Sequence, residues 1–139
     1  MRFAILHPER GFGALGNESS CVLKVTAGPS ALLVTGDVER RGESALLAAA
    51  IAADVVVVPH HGSATSSSPA FVAAARAEFA VVSAGFANRW GFPRREVRER
   101  WQRSGAVVVV TGEAGAITVE LGPSGVRLAR ERDGRHRYW

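Results

Sequence analysis

The sequence predicts an α/β fold, a mixed sheet with flanking helices. Three observations carry that expectation. Short apolar runs alternate with segments of helical spacing. Two of the runs, "DVVVVPH" and "FAVVSAG", are apolar without alternation, as strands buried on both faces are. Glycine and polar residues follow each run, which is the composition of strand-end loops.

Taken in order, "RFAILHP" reads as a strand that Pro8 stops. "RGFGALGNESS" reads as a Gly-rich loop. "SCVLKVTAG" and "SALLVTGD" read as a hairpin pair turning at "AGPS". In "VERRGESALLAAAIAA", Ala45, Leu46, Ala49 and Ala52 recur at helical spacing, and Ala and Leu favour helix. "DVVVVPH" is the next strand, bounded by Asp54 and Pro59. "SSPAFVAAARAE" is a helix with Ser68 as N-cap and Pro69 at its first position. After the strand "FAVVSAG", "PRREVRERWQRSG" is a helix opened by Pro93 and closed by Gly105, with an exposed Arg/Glu face. "AVVVVTGEAGAITVELGPSG" reads as a hairpin turning at residues 113–115. The domain is expected over residues 1–122, and residues 123–139 as an Arg-rich, flexible tail.

A chain of 139 residues supports one domain with a real core, and 47% hydrophobic with 22% charged residues is ordinary globular composition. No apolar run nears the roughly 20 residues needed to span a bilayer, and "MRFAILHPERG" lacks the apolar core of a signal peptide, so a soluble chain is expected. A lone cysteine, Cys21, excludes an internal disulfide and a Cys-based zinc site, and its setting in "CVLKV" suggests a small buried hydrophobe. The formal charge of +4 favours polyanionic partners. Lys24 is the only lysine among seventeen basic residues, and that arginine bias does not by itself specify nucleic acid.

Three polar motifs fall at the carboxyl ends of expected strands: "TGD" ending at Asp37, "PHHG" with His60 and His61, and "SAG". Ligands of α/β sheets bind at such ends, where the following loops expose backbone and side chains. Asp37, His60 and His61 therefore share one rim. A hard carboxylate oxygen with neutral imidazole nitrogen suits Zn or Mn, and two cations together clamp the attacking and leaving oxygens of a phosphodiester. The plainer alternatives are a solvated histidine turn and a helix-capping aspartate.

The ordered segments "NESSCVLKV", "LLVTGDVERRGESALLAA", "ADVVVVPHHGSATSSSPAF" and "VVSAGFANRWGFPRREV" resemble the C-terminal half of the metallo-β-lactamase-like domain of ComEC/Rec2-type competence proteins. The resemblance covers about residues 4–120. It implies half of an αββα sandwich, within a polytopic protein of the bacterial inner membrane that passes single-stranded DNA during natural transformation. It further implies an extracytoplasmic domain that degrades the non-transported strand by metal-assisted hydrolysis, with two divalent ions in the complete site. On it, Asp37 is the bridging metal ligand and one of His60 and His61 a second, His61 being favoured for its place beside Gly62. The expected partners are DNA, the N-terminal half of the same domain and the membrane channel region.

Two departures stand out. The superfamily's His-x-His-x-Asp-His stretch is absent, since His7, His60, His61 and His136 are the only histidines. That implies a fragment of a longer protein, beginning at an added Met1, that binds metal weakly and is weak or inactive as a catalyst. The family's "NRYGHP" stands here as "NRWGFP", with Phe92 in place of the usual histidine. A non-catalytic DNA-holding module, or another hydrolase of the superfamily acting on a different phosphodiester or an ester, are the rival functions.

Other residues suit contact with a phosphodiester. The hydroxyls of residues 63–68, Ser63 among them, precede a helix N-terminus and suit phosphate, though capping by Ser67 or Ser68 is the simpler reading. Asn88 and Arg89 follow the "SAG" strand and can reach the same rim, where arginine offers a bidentate fork. Arg94, Arg95, Arg98, Arg100 and Arg103 could track a DNA backbone, but interleaved Glu96 and Glu99 favour an ion-paired helix face. Trp90 suits stacking on a base or anchoring its loop, and Asn17 suits the rim or an Asx turn.

Overall fold

The structure, a computed structural model, describes residues 1–13 and 15–133. A six-stranded sheet runs in the order β1 (Arg2–His7), β2 (Val22–Ala27), β3 (Ser30–Val34), β4 (Val55–Val57), β5 (Phe79–Val82) and β6 (Val107–Val110). The first three strands pair antiparallel, and β3 through β6 pair parallel, so the sheet is mixed as expected. Parallel neighbours need crossovers. These are α1 (Arg40–Leu46), α2 (Pro69–Ala75) and α3 (Arg95–Arg103).

Side chains alternate across a sheet. One face, with Leu33, Val56, Ala80, Val82 and Val110, packs with Leu46 of α1, Phe71 and Val72 of α2, and Val97 and Trp101 of α3. The other face is apolar across every strand: Phe3, Val25, Leu32, Val55, Phe79 and Val107 lie in one register row. A second sheet, β7 (Ile117–Gly122) paired antiparallel with β8 (Gly125–Arg130), approaches β2 and β3, and Ser30 Oγ donates to Gly122 O at 2.9 Å. Val55 and Val109 are buried, yet Phe3, Ile5 and Val107 at the two sheet edges remain 64%, 61% and 53% exposed.

Several local expectations are corrected. The segment "AVVVVTGEAGAITVELG" is no hairpin: β6 joins the parallel sheet beside β5, and a short helix, α4 (Thr111–Ala114), redirects the chain. Thr111 anchors that turn, its hydroxyl donating to Ala84 O at 3.0 Å. Residues 125–130, expected within a flexible tail, form β8, because Val126 and Leu128 pair with Leu121 and Val119. The end of that tail, residues 134–139, lies outside the described residues.

Helix α1 stops at Leu46 rather than continuing through the alanines. Lys24 Nζ donates to Ala50 O at 2.6 Å, and the chain bends to bury Ile51 and feed β4. Cys21 is exposed, because it precedes β2 while Val22 points inward. Helix α2 follows its sequence signals: Ser68 Oγ accepts from Phe71 N at 3.3 Å and Pro69 opens the first turn.

Candidate functional site

The carboxyl ends of β3, β4 and β5 are tied together before any functional side chain is placed. Buried Thr35, just past β3, donates from Oγ1 to Val57 O at 2.6 Å. The N–H of Asp37 donates to Ser20 Oγ at 3.2 Å, and that of His60 to Gly36 O at 3.1 Å. Asp37, His60 and His61 are thereby brought to one rim.

The two histidines occupy consecutive left-handed conformations, with φ of 48° and 54°. Such backbone costs about 1–3 kcal/mol per residue and persists only where surroundings enforce it. The enforcement is visible. Ser63 N donates to His60 O at 2.9 Å, and Ser66 Oγ donates to Pro59 O at 2.8 Å. Gly62 adopts φ +82°, and a Cβ there would lie 2.6 Å from Pro93 Cβ, so only glycine fits beneath the loop that leads to α3.

The rings are held differently. His61 Nδ1 lies 2.7 Å from Ser83 O, a carbonyl that can only accept, so Nδ1 carries the proton. Nε2 then faces Asp37 Oδ1 at 3.5 Å, longer than a hydrogen bond. His60 Nδ1 lies 2.9 Å from Glu39 Oε1, and Thr65 Oγ1 donates to the same carboxylate oxygen at 2.8 Å. On its other side, His60 Nε2 lies 3.5 Å from Asn17 Nδ2. Both rings are thus anchored through Nδ1, and each Nε2 has its polar neighbour at 3.5 Å; what separates them is that only the His61 Nε2 faces the Asp37 carboxylate.

A cavity of about 430 Å³ opens at this rim, lined by Asp37, His60, His61, Ser83, Ala84, Gly85, Asn88, Trp90 and Phe92. Asn88 is spent on its own loop: Nδ2 donates to Gly85 O at 3.0 Å and to Phe92 O at 2.7 Å, and Oδ1 accepts from Phe92 N at 2.9 Å. Arg89 stands beside the cavity with its guanidinium 4.4 Å from the centre of the Trp90 ring. Ser63 is not brought in; it is buried, and its hydroxyl lies 3.0 Å from Thr65 Oγ1. Phe92 fills the wall beside His60, with ring centroids 6.0 Å apart.

The hydroxyl-rich loop is clamped. Ser67, at φ 56°, donates its N–H to the carboxylate of Glu43, accepts from Trp101 Nε1 on Oγ at 3.1 Å, and accepts from Arg100 on its carbonyl at 2.5 Å. Ser68 N donates to the other Glu43 oxygen at 2.8 Å. Burial pushes the Glu43 carboxyl above its ordinary value, while these N–H donors and Arg100 pull the other way. The arginines of α3 are likewise engaged: Arg95 and Arg103 on Glu99, and Arg98 on Glu113.

Sequence reasoning missed Glu39, Glu43 and the Ser83 carbonyl. Glu43 left a trace, since with Gly42 and Leu46 it falls on the inward stripe of α1. The Ser83 carbonyl leaves none, because every residue carries one.

As donors, Asp37 Oδ1 and His61 Nε2 suit a cation. Bond lengths of about 2.1 Å at a tetrahedral angle place two ligand atoms about 3.4 Å apart, against the 3.5 Å found here. No cluster of three or more His, Cys, Asp or Glu able to hold a metal occurs among the described residues. The pair is part of a donor set. No described helix is long and apolar enough to cross a membrane.

No protein-family model matches the chain, and no solved structure matches significantly. Curated relatives do. The competence protein ComA of Neisseria gonorrhoeae is 39% identical over 140 residues, covering 99% of this chain and 20% of that protein. Recombination protein 2 of Haemophilus influenzae is 33% identical over 121 residues, 87% of this chain and 15% of its own length. The ComE operon protein 3 of Bacillus subtilis is 35% identical over 119 residues, 84% and 15% respectively. The chain thus spans a fifth or less of the length of these relatives. By this extended similarity the chain is a homologue of one segment of the ComEC/Rec2-type competence proteins.

Proposed function

We propose that this chain is the C-terminal half of a metallo-β-lactamase-like αββα domain in a DNA-uptake protein, and that it supplies part of a divalent-metal site for hydrolysing DNA phosphodiesters. The observation that carries the reading is the orientation of His61. Nδ1 is bonded to the Ser83 carbonyl, which turns Nε2 toward the Asp37 carboxylate at ligand spacing.

Asp37 and His61 would hold the ion, Zn or Mn, with Ser83 fixing the imidazole. Bound there, a divalent ion neutralises charge developing on a phosphate. Glu39 orients His60 so that its Nε2 edge, shared with Asn17, borders the same space. Asn88 keeps the cavity wall in shape, and Arg89 offers its fork to phosphate. The remaining ligands would come from the N-terminal half of the domain, whose sheet would also cover Phe3, Ile5 and Val107. In the parent protein the domain would stand outside the cytoplasm, beside an inner-membrane channel.

The test is metal content. After dialysis against Mn²⁺ or Zn²⁺, the wild-type chain should retain bound metal, and Asp37→Ala and His61→Ala should both lose it. Retention unchanged in either variant would overturn the assignment. A second reading, a DNA-holding module without catalysis, is favoured by Phe92 in the cavity wall and the incomplete donor set. It predicts salt-dependent DNA binding indifferent to chelator and to Asp37→Ala.

A further inference from the structure

The loop after β5 presents two large aromatic side chains to solvent, Phe86 at 80% and Trp90 at 55% exposure. Its backbone is not loose. Asn88 bonds to Gly85 and twice to Phe92, Ala87 sits at φ 48°, and Gly91 N donates to Asn88 O at 3.0 Å. A rigid loop that holds an indole outward, on the wall of the cavity containing Asp37 and His61, has forgone burying it.

The charge around it is equally specific. Most arginines of α3 are neutralised or bonded internally, as described above. Arg89 and Arg94 have no carboxylate within ion-pair distance among the described residues. Each instead lies over an aromatic ring: Arg89 at 4.4 Å from the Trp90 centre and Arg94 at 5.7 Å from the Phe92 centre. A guanidinium held over a ring and paired with no carboxylate keeps donors for another partner, and its planar fork matches a phosphate. With Arg89 over its ring, Trp90 is still 55% exposed.

We propose that Trp90, with Arg89 and Arg94, forms a one-nucleotide clamp. Trp90 stacks an unpaired base and the two guanidiniums hold its flanking phosphates, so that the site selects single-stranded over duplex DNA. This deepens the DNA reading above and rests on it. Duplex bases have both faces occupied by neighbours and cannot stack on the indole, whereas every base of a single strand has a free face. The cavity, about 430 Å³, is of the size that takes a small ligand group.

The experiment is fluorescence anisotropy of labelled oligothymidylate with the full chain, in excess chelator so that neither metal nor cleavage contributes. An abasic oligomer of the same length and a duplex serve as comparators. Trp90→Ala should weaken oligothymidylate binding by roughly tenfold, from a stacking loss of about 1–3 kcal/mol per base. It should leave the abasic oligomer and the duplex unchanged, and Trp90→Phe should recover most of the loss. Arg89→Met should weaken the oligothymidylate and abasic strands alike and flatten their salt dependence.

Equal affinity of wild type and Trp90→Ala for oligothymidylate overturns the clamp, as does an equal loss on the abasic strand. Absence of binding to any of the three DNAs overturns both the clamp and the DNA reading. Base-dependent binding in a chain that retains no metal would leave the clamp standing while the metal assignment fell.

Discussion

The carbonyl of Ser83 accepts the Nδ1 proton of His61 across 2.7 Å, and this bond between adjacent strand ends determines which imidazole nitrogen meets Asp37. The two neighbouring histidines are therefore unequal. On the metal reading, His61→Ala removes a donor, and retained Mn²⁺ or Zn²⁺ should fall to background. His60→Ala removes a group beside the site, with an expected affinity loss of about 10- to 100-fold, the usual scale for an outer-shell partner. Calorimetric titration of both variants checks the order; equal losses would contradict it.

Phe92→His should tighten metal binding. The side chain lies in the cavity wall beside His60 and is only partly buried, so an imidazole is sterically acceptable there and adds a donor to an incomplete set. Titration against the same metals should show higher affinity than wild type, with a stronger pH dependence as another imidazole must deprotonate.

Glu43→Ala should destabilise the fold by about 2–4 kcal/mol, since it leaves the N–H groups of Ser67 and Ser68 without their acceptor and opens a void. Both bonds to Glu43 cross from α1 to the loop before α2. Chemical denaturation measures the loss. A change near zero would mean that the loop finds other partners.

The same carboxyl sets a pH dependence. Burial raises its folded-state value above that of the unfolded chain, so the folded protein holds this proton more tightly. Stability from this group is present in full below the unfolded carboxyl value of about 4.3 and is lost as pH rises through the folded value. Glu43→Gln should remove that fall. Denaturation midpoints followed from acid to neutral pH should therefore decline more steeply in wild type than in the variant.

Gly62→Ala should cost about 2–4 kcal/mol, combining a left-handed backbone with a forced displacement of Pro93. Because Gly62 O also accepts from Arg94 N at 2.9 Å, the strain should reach the histidine loop and weaken metal retention alongside stability. Thermal unfolding and metal content measured on one preparation test both effects.

The parallel core was legible because residues 55–58 and 79–82 are apolar without interruption, and the start of α2 because Ser68 and Pro69 are local signals. Local signals failed where the partner was distant. The alternation and turn residues around 113–115 read as a hairpin, yet β6 finds a better neighbour in β5, and Val126 and Leu128 gain a partner in β7. The placement of Asp37 beside the histidine pair was readable from strand ends. The division of labour between His60 and His61 was not, because it depends on Glu39 and on a main-chain carbonyl of another strand. Ser63, expected as a phosphate contact, is buried with its hydroxyl beside Thr65, a placement its sequence does not reveal because a hydroxyl-rich loop looks alike whether it faces a ligand or folds back on itself.

Asp37, His61 and Ser83 hang from three consecutive hydrogen-bonded strands, so the pairing of apolar residues beneath them acts as a ruler. Leu33 stands opposite Val56, and Val56 opposite Ala80. Sliding one strand by two residues would carry a donor about 6.6 Å from its partner, while a slip of one residue would turn it to the wrong face. Side chains that never approach the rim thus govern its dimensions. Substitutions that loosen the packing at Val56 or Ala80 should be felt first as lost ligand spacing, and only later as unfolding.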